Sequence, residues 1–332
     1  MNAPLGDDGT LPHLTGEDIA ALVDPLGAVR VVRDSLLAGI DPAADPDRTL
    51  VEWRSGQLLM MPTEFGARAG VKLALVAPDN ARRGLARIQG VYVLLDADTF
   101  VPLATMDGPA LTALRTPAVT VAALEPALRR TDTAARIVIV GRGLQARAHA
   151  VTLASALEGV RPIHDITFLG RAVADHDRSA PGEGSAGAVE LGTAGAHEAL
   201  AAADVVICAT SAGSPLFDSE ILRPDVVVAA MGSHEPDRRE LDGALMARSQ
   251  GVVEDRATAL REAGDVVRAV RDGLLDPDEL LLMADVVTGR IRLTADRPVV
   301  FKGTGMSWQD LVVADAVHRR WSCRRDPMMA VG

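Results

Sequence analysis

The stretch that decides the fold is "RIVIVGRGLQARAHA", residues 136–150. Residues 137–140 are a run of β-branched side chains, a composition that favours a buried strand. The run breaks at Gly141-Arg142-Gly143 and passes at once into an alanine-rich segment that favours helix. Strand, glycine turn and helix in that order make the phosphate-binding corner of a dinucleotide fold. The glycines let the backbone approach a pyrophosphate, and the helix N-terminus turns free N–H groups and its dipole toward the negative charge. Such a turn also occurs in proteins that bind nothing there, so its meaning depends on what flanks it.

Outward from that turn, the chain changes character near residue 134. Strand-like runs at 136–140, 166–169, 189–191, 205–208, 226–230 and 251–254 alternate with helical segments between most of them. Such alternation predicts parallel strands joined by crossover helices, a doubly wound α/β sheet. The glycine loop then sits on the first strand of that sheet, at the carboxyl edge where ligands bind. Residues 175–188, "DHDRSAPGEGSAGA", hold too much Gly, Ser and Pro for a full crossover helix and predict a shortened helix with a mobile loop.

Upstream, residues 15–39 read as two helices separated near Pro25, with Thr15 and Asp18 in N-terminal capping roles. Short apolar or alternating runs between residues 49 and 107 predict an antiparallel or mixed sheet, and a helix follows despite Pro117. The final segment, "VVFKGTGMSWQDLVVADAVHRRW", reads as a strand, a glycine turn and a helix that folds back onto the N-terminal half.

Composition narrows the class of function. Hydrophobic residues make up 48% and charged residues 24% of the 332, an ordinary globular balance. The net charge of −11 argues against a nucleic-acid or acidic-membrane partner, both of which reward clustered Lys and Arg. Aromatic residues at 3% leave little for stacking bases. No apolar run reaches the roughly 20 residues of a spanning helix, and the N-terminus lacks the pattern of a secretion signal. Cys208 and Cys323 stand in no metal or redox spacing, so no metal is expected, and the reading is of reduced thiols in a cytoplasmic protein.

The second strand of the unit, "ITFLGRAVADHD", decides which dinucleotide is favoured. NAD sites usually end this strand in Asp or Glu, which accepts hydrogen bonds from the ribose hydroxyls. Gly170 stands there instead, followed by Arg171. A guanidinium pairs with a 2′-phosphate that a carboxylate would repel, so NADP(H) is favoured over NAD(H). The competing reading makes Arg171 a solvated loop residue and gives the ribose to Asp175.

Four segments, "MMPTEFGARAGVKLALV", "MDGPALTALRTPAV", "VIVGRGLQARAH" and "GSHEPDRRELD", resemble the ornithine cyclodeaminase and mu-crystallin family in order and spacing, over nearly the whole chain. The resemblance implies a homodimer built on a substrate and dimerisation domain of α+β type, residues 1–120 plus 300–332. Into this a Rossmann-type dinucleotide-binding domain, residues 121–299, is inserted. It implies a carboxylate-binding cluster of Arg48, Lys72 and Arg115, with Lys72 also counted as catalytic. Convergent cations would fix the carboxylate of an amino or imino acid so that its Cα faces the nicotinamide. Lys72 and Arg115 lie in otherwise apolar segments, where an unpaired charge would be costly. The resemblance further implies cofactor contacts from Arg87, Leu144, Gln145, Thr210 and Gly303, and a substrate contact from Thr304; with Gly141 and Gly143 of the turn, Arg171, Arg115 and Met231 they make up the expected cofactor set. At Thr210 a plain turn explains the residues nearly as well.

One departure from the family pattern bears on the reaction. Cyclodeaminases carry an aspartate in a "G-G-D-x-P-G" turn, whereas this chain reads Met231-Gly232-Ser233-His234-Glu235-Pro236. An imidazole cannot hold a distal ammonium as a carboxylate does. The turn is similar to that of the mu-crystallin branch, which implies NADPH-dependent reduction of a cyclic ketimine, a small imino acid. His234 either donates a proton or hydrogen bond to the imine nitrogen or only caps the turn. Two other expectations stand beside this one: a cyclodeaminase releasing ammonia from ornithine or lysine with bound NAD, and an NADPH-dependent ligand-binding protein with little turnover.

Overall fold

A computed structural model of the chain describes residues 10–171 and 186–325. The chain divides into two compact units, Met1–Val119 with Met306–Gly332, and Thr120–Gly305.

The first unit opens with β1 (His13–Leu14), α1 (Gly16–Leu22) and α2 (Pro25–Leu37). The Thr15 side chain accepts the Asp18 N–H at 3.2 Å while the Asp18 carboxylate accepts the Thr15 N–H at 2.9 Å, a closed capping box. Pro25 takes the first turn of α2, where its missing N–H is harmless, with Asp24 as N-cap. Five strands follow: β2 (Thr49–Trp53), β3 (Gly56–Phe65), β4 (Arg68–Val76), β5 (Ile88–Asp96) and β6 (Pro102–Asp107). They pair antiparallel, and β1 joins β6 in parallel, giving a mixed sheet in the order β1-β6-β5-β4-β3-β2. Burial alternates with period two along β3, where Leu59, Met61 and Thr63 are buried and Leu58, Met60 and Pro62 are not. Helix α3 (Gly108–Leu128) starts where β6 ends and runs through Pro117. That proline removes one helical hydrogen bond, but burial around most of the helix outweighs the loss.

The second unit is the repeating one. Its elements are β7 (Ala135–Val140), α4 (Leu144–Leu157), β8 (Ile163–Gly170), β9 (Ala186–Glu190), α5 (Ala194–Ala202), β10 (Val205–Cys208), β11 (Val227–Ala230), α6 (Gly243–Arg248), β12 (Gln250–Val253), α7 (Arg256–Glu262), α8 (Gly264–Arg271), β13 (Leu281–Leu282), α9 (Met283–Val287) and β14 (Val299–Lys302). Every pairing among them is parallel, in the order β13-β12-β14-β11-β10-β7-β8-β9. Strands β10, β11, β12 and β14 are buried along their whole length, as expected of strands covered on both faces. The chain leaves β7 toward β8 and β9, then returns to the other side of β7 at β10. This reversal is the switch point of a doubly wound sheet, and it places the glycine turn after β7 at the ligand-binding edge.

The structure corrects the sequence reading in three places. Residues 300–332 are expected to travel together with the N-terminal part, but β14 belongs to the second sheet and lies between β11 and β12. Its four residues are fully buried and so need a parallel strand on each side; the division falls at Met306 instead. The strand expected at 189–191 spans Ala186–Glu190, and the short β13 is not anticipated at all. Most of the shortened helix and loop expected at 175–188 lies outside the described residues.

After Met306 the chain returns to the first unit as α10 (Ser307–Arg325). It packs on α2, β3 and β4 and is buried on nearly all sides as far as His318.

Candidate active site

In the first unit, Lys72 sits mid-sheet on β4, with Met61 opposite on β3 and Tyr92 opposite on β5. Its Nζ lies 2.6 Å from Oδ2 of Asp310 on α10. The other carboxylate oxygen of Asp310 takes Nε of Arg115, from α3, at 3.2 Å, and Arg115 also donates to Gln309 Oε1 at 2.8 Å. Lys72 is 4% and Arg115 6% exposed, and Asp310 is fully buried. One carboxylate thus serves two buried cations, which leaves a positive surplus. Burial, followed by the neighbouring Arg115 charge, pulls the Lys72 ammonium down from its ordinary value to about 8 against the opposing pull of Asp310. Arg48, half-buried in the loop before β2, adds to the same repulsion. Two buried cations on one carboxylate suit an anionic ligand, because a second carboxylate would neutralise the surplus.

The start of α10 is tied to the loop that carries Arg48. Asp45 accepts the backbone N–H of Ser307 at 2.7 Å and of Trp308 at 3.2 Å, and the Thr63 hydroxyl at 2.7 Å. It therefore caps the helix that supplies Asp310. Burial raises the Asp45 carboxyl from its usual value, while those three hydrogen bonds pull the other way. Arg87 is not brought to the cluster. It is exposed just before β5, five residues along the chain from Tyr92.

In the second unit the predicted residues lie on the loops at the carboxyl edge of the sheet. Gly141 has φ +127°, and a Cβ there would stand 2.4 Å from the Ala209 carbonyl oxygen, so only glycine allows this turn. Gly143 caps α4 without a side-chain hydrogen bond and has open space around its Cα. Leu144 is exposed and Gln145 half-buried in the first turn. A helix N-terminus left open behind a glycine turn fits the pyrophosphate of a dinucleotide. The residues present therefore suit the nicotinamide cofactor that the fold implies.

The next loops are held from beneath by buried acids that the sequence reading missed. Glu240, fully buried, accepts the N–H and hydroxyl of Thr210 at 2.8 and 2.7 Å through one oxygen and the Gly232 N–H at 2.7 Å through the other. Thr210 therefore gives its hydroxyl proton to Glu240 and shapes the loop. Burial raises the Glu240 carboxyl above its ordinary value, and the Lys302 charge opposes that. Lys302 pairs with Asp265 at 3.2 Å and donates to the Ser233 carbonyl at 2.6 Å, and Asp265 accepts the N–H groups of Glu240 and Leu241. His234 follows Ser233 with its ring exposed and its backbone fixed on one side by this network. Met231 is half-buried and donates its N–H to the Cys208 carbonyl.

Glu254, buried at the end of β12, holds Thr304 by its N–H at 2.7 Å and its hydroxyl at 3.0 Å, together with the Gly305 N–H. Gly303 donates to the Ala230 carbonyl. Glu240 lies 30 residues from Thr210 and Glu254 50 residues from Thr304, and no local motif announces either pairing. Arg171 is exposed in the bend after β8; Asp175, the competing ribose contact, lies outside the described residues.

The two units thus present a buried cationic cluster and a glycine turn at a sheet edge. The model of the ornithine cyclodeaminase/mu-crystallin family matches residues 35–325. A Delta(1)-pyrroline-2-carboxylate reductase of Bacillus cereus is 30% identical over 83% of this chain and 85% of its own. The ketimine reductase mu-crystallin of Rattus norvegicus is 29% identical over 96% of this chain and 97% of its own. Among solved structures, the Thermococcus litoralis Delta(1)-pyrroline-2-carboxylate reductase in complex with NADH and L-proline aligns with TM-score 0.83 at 25% identity, covering 95% of this chain and 98% of that one.

Proposed function

Because this chain belongs to the ornithine cyclodeaminase/mu-crystallin family, we propose that it reduces a cyclic ketimine carboxylate to the corresponding cyclic amino acid, with NADPH favoured over NADH. The observation that carries the reading is the buried Lys72–Asp310–Arg115 cluster, whose surplus charge matches one carboxylate. The reductases named above act on substrates of this kind. When bound, the reduced nicotinamide supplies the hydride. The chain's own residues do the rest: Lys72 and Arg115 grip the carboxylate, Arg48 adds a third cation, and Asp310 aims the first two. Thr304, held by Glu254, is the further substrate contact. The proton for the ring nitrogen comes from His234 or from water.

NADPH is favoured because Gly170 and Arg171 stand where an NAD site keeps an acid. A homodimer is favoured because the outer face of the first sheet presents Leu58, Met60, Leu73, Leu75, Val91 and Val93, half-buried apolar side chains that a second copy would cover. Both cysteines are free, in keeping with a reducing cytoplasm. Among the described residues no helix is long and apolar enough to cross a membrane. Cyclodeamination is the weaker reading, since His234 replaces the aspartate of that chemistry.

The test is NADPH oxidation with pyrroline-2-carboxylate and piperideine-2-carboxylate. Turnover of either, faster with NADPH than with NADH, supports the reading. Ammonia released from ornithine with trace NAD would replace it with the cyclodeaminase. NADPH binding without turnover of any imino acid would leave a binding protein.

A further inference from the structure

The buried network that holds the loops of the second unit carries a charge as well as a shape. Glu240 is 0% exposed, and Asp265 and Lys302 are each 1% exposed. Glu240 meets donors alone: the N–H and hydroxyl of Thr210 on one oxygen and the Gly232 N–H on the other. The Thr210 hydroxyl itself accepts the Ala212 N–H at 3.1 Å, which leaves its own proton for Glu240. A carboxyl whose two oxygens both accept is ionised. Asp265 likewise accepts two N–H groups and faces the Lys302 ammonium. Two acids thus stand against one cation, and the surplus is negative. Arg238, which donates to the Ser211 carbonyl, and Glu235 beside it form an outer pair at 3.9 Å, where water screens both. The place of the network in the fold is specific. Thr210 follows β10 and Gly232 follows β11, on the other side of β7 from β8 and β9. A Cβ on Gly232 would run into the Thr210 carbonyl oxygen, so the two loops touch backbone to backbone where Glu240 binds them.

We propose that the Glu240 carboxylate, beyond fixing these loops, favours the oxidised, cationic nicotinamide ring over the neutral reduced one and so makes the bound coenzyme a stronger hydride donor. The proposal rests on the nicotinamide reading above but not on the choice between NADPH and NADH. A doubly wound sheet holds a dinucleotide across its switch point, one nucleotide on each half. With the adenosine on the side of β8 and β9, the loops after β10 and β11 belong to the nicotinamide half. The two redox forms of the ring differ by one positive charge. A fixed negative charge out of water therefore separates their affinities, and tighter binding of the oxidised form makes the bound reduced form the better donor. That sign suits a reductase. The hydride passes with both electrons to the imine carbon, the imine nitrogen takes a proton, and the ring is left cationic. Lys302 moderates the effect, since its ammonium offsets Asp265 and donates to the Ser233 carbonyl at 2.6 Å. Glu240 acts by its field across Thr210 and Gly232, so it is a positioning residue with a charge rather than a contact.

The experiment measures by calorimetry, on the protein without coenzyme, the Kd of NADP+, NADPH, NAD+ and NADH. The readout is the ratio of oxidised to reduced Kd for whichever pair binds, in which any loss common to both forms cancels. Glu240→Gln removes the acid and is expected to raise this ratio about tenfold. Lys302→Gln removes the cation, keeps a donor for the Ser233 carbonyl, and is expected to lower the ratio by a similar factor. Both variants disturb the same loops, so damage to the loops alone would move the two ratios together or not at all. Opposite shifts support the proposal. It fails if Glu240→Gln leaves the ratio within about twofold, or if both variants shift it in the same direction. Where Glu240→Gln does not fold, Lys302→Gln decides alone, because an unchanged or raised ratio overturns the proposal. A wild-type protein that binds none of these coenzymes overturns the nicotinamide reading itself, a different result from one that binds them with a ratio blind to both charges.

Discussion

Two buried charge clusters, one in each unit, are built with opposite balance. Around Asp310 a single carboxylate answers Lys72 and Arg115, and the cations outnumber the acid. Around Lys302 a single ammonium answers Asp265 and influences Glu240, and the acids outnumber the cation. Backbone N–H groups of Thr210, Gly232, Glu240 and Leu241 nevertheless point at both oxygens of Glu240 and one of Asp265, whose other oxygen faces Lys302. In the first cluster Lys72 and Arg115 meet side chains instead, those of Asp310 and Gln309. A network answered largely by its own backbone suits a structural role, whereas one with charge to spare suits the ligand proposed above.

The largest test of this contrast is Lys72→Met. It removes a cation but leaves Asp310 paired to Arg115, so the fold should survive while kcat/KM for an imino acid falls by about a thousandfold, on the order of 4 kcal/mol. Steady-state kinetics and circular dichroism together check both halves. Glu240→Gln should do the reverse. Its amide would turn an NH2 group toward N–H donors, costing about 3 kcal/mol of stability. The melting temperature would drop while the affinity of the first cluster for a carboxylate ligand stayed within about twofold.

Acidity offers a third handle. The Lys72 ammonium, lowered to about 8, loses its proton as pH rises past that value, so the KM for an anionic substrate should climb, approaching tenfold per pH unit well above it. The effect of Lys72 on the stability of the ligand-free protein has the other sign. Between about 8 and the ordinary lysine value the unfolded chain binds the proton more tightly, so this lysine's burial penalty fades as pH rises. A KM profile flat from pH 7 to 10 would rule out a titrating Lys72 in substrate binding. The smallest expected effect belongs to Asp45→Asn. It weakens the cap that anchors α10, costing about 1 kcal/mol in a denaturation curve, with a few-fold rise in KM as Asp310 loosens.

Much of this was legible in the chain. The turn at Gly141 is announced by its glycines, and the capping box at Thr15 by residues three apart. Lys72 and Arg115 stand out as charges in apolar segments, and the strand alternation announces the parallel sheet. What stayed hidden were the partners. Lys72 and Asp310 are 238 residues apart, Glu240 and Thr210 are 30 apart, and Glu254 and Thr304 are 50 apart. β14 looked like the first part of the C-terminal helix's unit because strand, turn and helix are contiguous, yet its burial on both faces assigns it to the second sheet.

The amino-acid sequence by itself determined the local conformations, the doubly wound alternation and the residue types available for chemistry, since these depend on neighbours a few positions away. Tertiary structure decided which acid meets which base and which strand lies between which others. Such choices depend on burial and hydrogen-bond satisfaction among groups brought together only when the chain is folded.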